Sequence, residues 1–476
     1  MLRQASTYLA AHTASAVFGF LTITVFTRLL TPAEYGVYVV GMSVVGVLNA
    51  ILFLWIRHSV VRFSHGGLES DMRITALICY LALVLLSPVL VLVAVWLTGG
   101  SFWQITAAVF VAFAMGIFDI YQDIFRNRQL PGRYAINLIT RAVTGFCVAA
   151  VLVLMGFGGL GMLAGVGTGY VLTSIISSWV VWEPPFNGFD MAILKKMLLF
   201  GGPLTVSGAV FSFHSLMDRF LIVGYLGEAQ AGAYGASADL VRQLILFPAV
   251  AIGSAIIPLA AKLLIEEKPE EAEAHLKNSC ELLLAVIMPA CIGLALVTPQ
   301  LSYLMLGEEF RAYGMMLIPI LAFSWLFQAF THQYLHAAFH LGQRPSLMLV
   351  QGVVILLVNL AAMVIFIPVY GLIGAAYAIL ISEMVGAVAA YLLSFRAHRM
   401  HFDIHGMIRV FLASAVMAVA VGFLRREVAS DSIVSLIALV LTGIVTYSAV
   451  AFALNIASIR SIAMAKLKAY RDRKAA

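Results

Sequence analysis

Apolar runs of eighteen or more residues recur from one end of this 476-residue chain to the other. Nothing else in the sequence narrows the fold so far. A helix of about 20 residues spans a hydrocarbon core of roughly 30 Å, whereas a barrel strand needs only about ten residues and alternates in polarity. With 62% hydrophobic and 11% charged residues, and a mean hydropathy of +1.00, the chain has too little polar surface to cover a soluble globule. The sequence therefore predicts an all-α integral membrane protein.

Apolar runs bounded by polar turns predict fourteen helices, at 5–30, 36–62, 74–98, 102–126, 135–155, 159–182, 197–226, 231–263, 280–306, 313–340, 346–368, 371–395, 404–424 and 432–456. Lys and Arg cluster in alternate connections: Arg62 and Arg73; Arg126, Arg128 and Arg133; Lys195 and Lys196; Lys262, Lys268 and Lys277; Arg344; Arg396, Arg399 and Arg409. The other connections hold only Arg311, Arg425 and Arg426. Basic connections stay in the cytoplasm, so both termini are expected there and the turn at Thr31 to Tyr35 is expected outside.

The stretch TRLLTPAEYGVY, Thr27 to Tyr38, has a second version in LGEAQAGAY, Leu226 to Tyr234, and pairing Gly36 with Gly232 sets an offset of 196. Further on, Pro131 pairs with Pro345 at an offset of 214, and the turn at Gly158 pairs with that at Gly371 at 213. An insertion at the acidic segment Glu266 to Lys277 accounts for the drift. Six helices separate corresponding hairpins, so the copies predict two parallel-repeat lobes around a central cavity. The expected divisions are an N-lobe at 1–183, a C-lobe at 184–395, two added helices at 396–456 and a basic cytoplasmic tail at 457–476.

Several classes of function are disfavoured. The net charge of +6 is spread over short patches between apolar runs, as positive-inside topology requires and as a nucleic-acid surface does not. There is no phosphate-binding Gly-x-x-x-x-Gly-Lys motif and no extramembrane domain large enough for catalysis, so an enzyme is not expected. Cys79, Cys147, Cys280 and Cys291 lie within apolar runs and read as small core residues. His332, His336 and His340 share a helix face without a nearby carboxylate, which favours packing over metal binding. Ala14-Ser15-Ala16 resembles a signal cleavage site, but the apolar run continues past it, so an uncleaved first helix is expected. Gly161, Gly165 and Gly169 line one helix face and predict a close helix crossing.

Charges inside apolar runs are costly unless they meet a partner or a cavity, and they are the candidate site residues. Arg28, Arg57, Arg141, Arg219 and Arg242 are basic; Asp119, Asp123, Asp218, Asp239 and Glu383 are acidic, so the formal sum is zero. Arg242 reads as the deepest, about 16 Å from its helix end, Arg141 and Arg219 as about 10 Å deep, and Arg28 and Arg57 as within snorkelling reach. Asp119, Asp123, Asp239 and Glu383 are candidates for proton or sodium coupling. Asp239 is placed to neutralise Arg242, while Asp218 and Arg219 are expected to point apart.

With FTRLLTPAEYGVY near its start, the echo DRFLIVGYLG and a count of fourteen helices, the sequence resembles the polysaccharide transporter branch of the multidrug/oligosaccharidyl-lipid/polysaccharide (MOP) exporter superfamily. Its Wzx-type O-antigen and exopolysaccharide flippases fit best. The resemblance implies translocation of an undecaprenyl-diphosphate-linked oligosaccharide across a bacterial inner membrane by alternating access, for lipopolysaccharide or exopolysaccharide synthesis. It implies membrane lipids, a polysaccharide polymerase and chain-length machinery as partners, and no nucleic acid. It also implies that cavity arginines meet the diphosphate, here Arg28 of the TR-LL motif and Arg219 of the DR-FL motif; Arg141 and Arg242 rest on depth. A drug/cation antiporter of the same fold is the alternative, though such proteins have twelve helices. A membrane glycan polymerase or ligase fits less well, because the longest outward connection, about Leu424 to Asp431, is short.

Overall fold

The computed structural model describes residues 2–63, 69–98, 100–181, 188–428 and 432–460. The basic tail expected at 457–476 lies outside the described residues from 461 onward. Among the described residues there are fourteen long helices: α1 (Leu2–Leu29), α2 (Pro32–Phe63), α3 (Glu69–Thr98), α4 (Phe102–Asn127), α5 (Pro131–Leu152), α6 (Gly158–Val181), α7 (Met191–Leu226), α8 (Glu228–Ile265), α9 (Pro269–Leu296), α10 (Glu308–Phe330), α11 (346–370), α12 (372–394), α13 (Ile404–Glu427) and α14 (Ile433–Ala453). Among the described residues, eleven helical segments are long and apolar enough to cross a membrane, and some of these contain two legs. The segment Ser346–Ser394 is the clearest case. Its 49 residues would run to about 74 Å as one straight helix, more than twice a bilayer core, and it folds back at Gly371.

The predicted boundaries hold to a few residues for most helices, with two corrections. The ninth helix starts at Pro269 rather than 280 and ends at Leu296, where the short helix Thr298–Met305 takes over. Polar Glu270 and Glu271 occupy its first turn, where the helix dipole favours them, and this hid the true start from a hydropathy reading. The tenth helix is broken near His332, because a π turn at Thr331–Leu335 interrupts it before Ala337–Leu341.

Local chemistry explains the hairpins. Thr31 and Glu34 form a capping box at the start of α2: the Thr31 backbone N–H and hydroxyl both donate to Glu34 Oε2, at 2.9 and 3.0 Å, with Pro32 at the first helical position. The turns at the paired positions share geometry. Gln129 (φ 53°) and Gln343 (φ 51°) both sit in the left-handed region, two residues before Pro131 and Pro345. In each, the next residue's N–H reaches back five positions, Leu130 to Phe125 O and Arg344 to Phe339 O, both at 2.9 Å. Gly158 (φ 53°, ψ −140°) and Gly371 (φ 60°, ψ −140°) adopt one conformation, open in practice only to glycine.

The chain forms two compact units, Met1–Ala236 and Ser237–Ala476. The first unit takes in α7, which lies along α2. There the glycines of the duplicated motif meet. A Cβ on Gly232 would run into Pro32 O and the Gly36 backbone, and one on Gly36 into Glu228 O. Gly165 and Gly169 of α6 press against Ala149 and Gly145 of α5, which is the close crossing expected from their spacing. Phe53, Ile56, Val60, Phe113 and Phe125 are buried where α2 packs on α4. In the second unit α9 packs against α10 and α13, and α13 against α14. Cys280 and Cys291 are buried there, but Cys147 of α5 is exposed, a correction to its reading as a core residue.

Candidate functional site

In the first unit α2 and α4 bring together three of the intramembrane charges, Arg57, Asp119 and Asp123, with Arg126 from the last turn of α4. Arg57 forks across two carboxylates one helical turn apart: Nε donates to Asp123 Oδ2 and Nη1 to Asp119 Oδ2, both at 2.9 Å. Arg126 bonds the other oxygen of Asp123. Asp119 and Asp123 share a helix face because four residues make about one turn. Arg57, read from the sequence as within snorkelling reach of the interface, spends two of its nitrogens on these acids. The cluster is partly open, with side-chain exposures of 25% for Arg57 and 16% for Asp119 against 4% for Asp123.

Arg141 lies close by on α5, and its charge is felt at Asp119. It is deeper than expected. The helix begins at Pro131, so Arg141 is ten residues in, about 15 Å and near the middle of the bilayer. Its partners are neutral: Nη1 donates to the Tyr170 hydroxyl at 2.9 Å, Nη2 approaches Ser15 Oγ at 3.5 Å, and the guanidinium carbon lies 5.0 Å from the Tyr170 ring centroid and 5.8 Å from that of Phe118. No carboxylate lies within ion-pairing distance of it among the described residues. Three cations, Arg57, Arg126 and Arg141, against two anions, Asp119 and Asp123, leave this region one positive charge in excess.

The remaining candidates separate. Asp218 and Arg219 of α7 do not point apart as expected. The Arg219 N–H donates to Asp218 Oδ1 at 2.9 Å, its Nη1 lies 3.9 Å from the same oxygen, and Tyr234 faces the carboxylate. Both are buried, at 4% and 8% exposure, so Arg219 is sealed within its unit in this conformation. Arg28, in the last turn of α1, is exposed. Arg242 and Asp239 make the neutralising contact foreseen from their spacing, but loosely, at 3.8 Å and with Arg242 48% exposed. Glu383 is buried on α12 and accepts a 2.7 Å bond from Gln328 Nε2 of α10. His332 and His336 stack with ring centroids 4.7 Å apart, His336 being buried.

One feature had no sequence signal. In the second unit α8, α9, α13, α14 and the helix Thr298–Met305 enclose a cleft of about 460 Å³. Its wall is almost wholly apolar and includes Leu244, Pro289, Gly293, Leu301, Met417, Leu439 and Gly443. Tyr447 of α14 closes one side, its hydroxyl donating to Ala285 O of α9 at 2.7 Å. Arg409 pins α13 in place, with Nη2 3.3 Å from the buried Glu281 and 3.4 Å from Asp403, and Nη1 on Leu454 O at 3.4 Å. Arg409 entered the sequence reading only as a topology marker, because a pairing 128 residues away leaves no local trace.

Comparison with known proteins agrees with this architecture. A family described as "Polysaccharide biosynthesis protein" matches residues 25–314. A protein of Haloferax volcanii described as a probable low-salt glycan biosynthesis flippase is 24% identical over 447 residues, covering 90% of this chain and 91% of its own length. Among solved structures, the lipid II flippase MurJ in an inward closed conformation superposes with a TM-score of 0.77 at 14% identity, covering 94% of this chain and 98% of its own. An inward-facing multidrug MATE transporter of the MOP superfamily gives 0.62 at 17%, covering 82% and 94%.

Proposed function

We propose, from the premise that this chain belongs to the polysaccharide biosynthesis protein family and is a multi-pass membrane transporter of the MOP superfamily rather than an enzyme, that it carries a lipid-linked oligosaccharide across the membrane. The carrier is undecaprenyl diphosphate, the membrane the bacterial inner membrane, and the product a precursor of lipopolysaccharide or exopolysaccharide. The observation that carries this reading is the excess of positive charge where Arg57, Arg126 and Arg141 meet only Asp119 and Asp123, with Arg141 held near the middle of the bilayer among neutral partners. A buried cation without a counter-ion is expensive, and an anionic substrate supplies the missing charge.

A guanidinium offers a planar fork that holds two phosphate oxygens at once. Arg57 and Arg141 are the side chains best placed for a diphosphate; exposed Arg28 supplies further positive charge in the same unit, Arg219 joins only if its unit rearranges, and Arg242 is an exposed cation of the second unit. The apolar cleft suits a prenyl tail, since it combines a long hydrocarbon wall with a volume typical of ligand sites, about 300–1,000 Å³. Access alternates between the two faces of the membrane, both termini lie in the cytoplasm, and the polymerase and chain-length machinery receive the product. A drug/cation antiporter finds less support, because its cationic cargo would meet the same excess of positive charge.

Complementation of a strain lacking its own repeat-unit flippase tests the reading. Restored surface polysaccharide with the parent chain, and its loss with Arg141→Ala at equal membrane abundance, is the expected outcome. Full activity of Arg141→Ala would remove the charge argument.

A further inference from the structure

The ion-pair cluster of the first unit is arranged as a latch as well as a charge. Arg57 uses two of its three nitrogens on Asp119 and Asp123, and its third, Nη2, makes no hydrogen bond among the described residues. Its side chain is more open than either acid. Asp123 is also held by Arg126, whereas among the described residues Arg57 is the one cation hydrogen-bonded to Asp119. The other titratable groups facing the cluster are His58 on α2, which senses Arg57 and Asp123, Tyr134 on α5, which faces Arg57, and Arg141 on α5, which faces Asp119. Arg73 of α3 is committed to Val181 O at 2.5 Å.

From this geometry we infer that Arg57 is exchanged between the Asp119/Asp123 pair and the substrate diphosphate, and that the exchange couples anion binding to uptake of a proton by the pair. The inference rests on the diphosphate reading above and adds a proton that binds and leaves with the substrate. With no substrate, Arg57 cancels the acids and both stay ionised. When Arg57 turns its fork to the diphosphate, two carboxylates four residues apart lose their shared counter-charge; Arg126 still covers Asp123, and Asp119 takes up a proton from solvent. Departure of the diphosphate returns Arg57 to Asp119 and the proton leaves. No bond other than O–H forms or breaks, and the complex gains one proton for each substrate bound. The two equilibria are reciprocal: if binding draws in a proton, lower pH strengthens binding.

The experiment uses the purified full chain in lipid nanodiscs and undecaprenyl diphosphate as probe. Calorimetric titrations in buffers of different ionisation enthalpy give the protons taken up per ligand bound, for the parent, Asp119→Asn, Asp119→Asn with Asp123→Asn, and Arg57→Gln. The probe's own protonation is common to all four, so differences between variants are read. The parent is expected to take up close to one proton more than the double Asn variant, and its Kd to tighten by up to about tenfold per pH unit of acidification relative to that variant. Near pH 7.5 the Asn variants should bind as tightly as the parent or tighter, since Arg57 is released in the double variant and held by Asp123 alone in Asp119→Asn, and Arg57→Gln should bind more weakly with no extra uptake. Equal proton uptake in parent and Asn variants overturns the coupling while leaving the diphosphate site intact. Loss of binding in folded Asn variants, to the level of Arg57→Gln, overturns it as well, since the acids would then only position Arg57. No binding by the parent removes both the latch and the substrate reading. If the double variant fails to fold, Asp119→Asn alone carries the same sign, because Asp123 keeps Arg126.

Discussion

Filling the apolar cleft without disturbing its walls isolates the contribution of the lipid tail. Gly293 of α9 lines the cleft, and a Cβ built there has Met417 Cε as its nearest neighbour, at 4.0 Å, so a side chain enters open space rather than backbone. Gly293→Phe places a seven-carbon group in a 460 Å³ cleft. If it displaces about four carbons of a prenyl chain, at about 0.8 kcal/mol each, the tail loses about 3 kcal/mol of burial, or about two decades of affinity. The helix itself should not weaken, because replacing an interior glycine removes a conformational cost of about 0.5–1 kcal/mol. Flipping of a fluorescent lipid-linked oligosaccharide in proteoliposomes, with thermal unfolding in detergent as control, should show activity falling in the order Ala, Leu, Phe at position 293 with little change in Tm. Undiminished transport by Gly293→Phe at normal Tm would refute the cleft as a tail site.

Other perturbations test other parts of the argument. Single cysteines at Ala33 and Glu270 in a cysteine-free background should be labelled by an impermeant thiol reagent on intact cells at 33 only; the reverse pattern would invert the topology. Gly371→Ala forces a side chain into φ 60°, ψ −140°, and should cost about 1–3 kcal/mol, read as a lowered Tm, whereas Gly224→Ala, which meets nothing within 4 Å and has ordinary helical geometry, should not. Because the Arg242–Asp239 contact is long and exposed, worth at most about 1 kcal/mol, the double change Asp239→Ala with Arg242→Ala should not restore transport lost in Arg242→Ala; rescue would show that the pair only neutralises itself. Arg141→Lys should keep part of the activity lost in Arg141→Ala, since an ammonium retains the charge but not the fork, and equal loss in both would point to geometry alone.

Sequence by itself determined what depends on distance along the chain. Hydropathy summed over twenty residues is enough to mark a spanning segment, so the membrane class and the fourteen helices were legible. So were the hairpin positions, because Thr31-Pro32, Pro131, Gly158, Pro345 and Gly371 act through local backbone geometry that needs no distant partner. The capping box and the paired left-handed glutamines refine those turns without moving them. Tertiary structure alone decided the azimuth of each helix. In water a helix shows its buried face by being apolar there, but in lipid both faces are apolar, and Leu85 at 81% exposure is no different in kind from buried Phe53. Without azimuth, the sequence could not tell that Arg57 would cross to Asp119 and Asp123 more than sixty residues away. Nor could it tell that Arg219 would be sealed beside Asp218, that Arg141 would stand among aromatic rings with no acid, or that five helices would leave an apolar cleft. Each is a pairing across the bundle, fixed by which faces pack and carried by no local pattern.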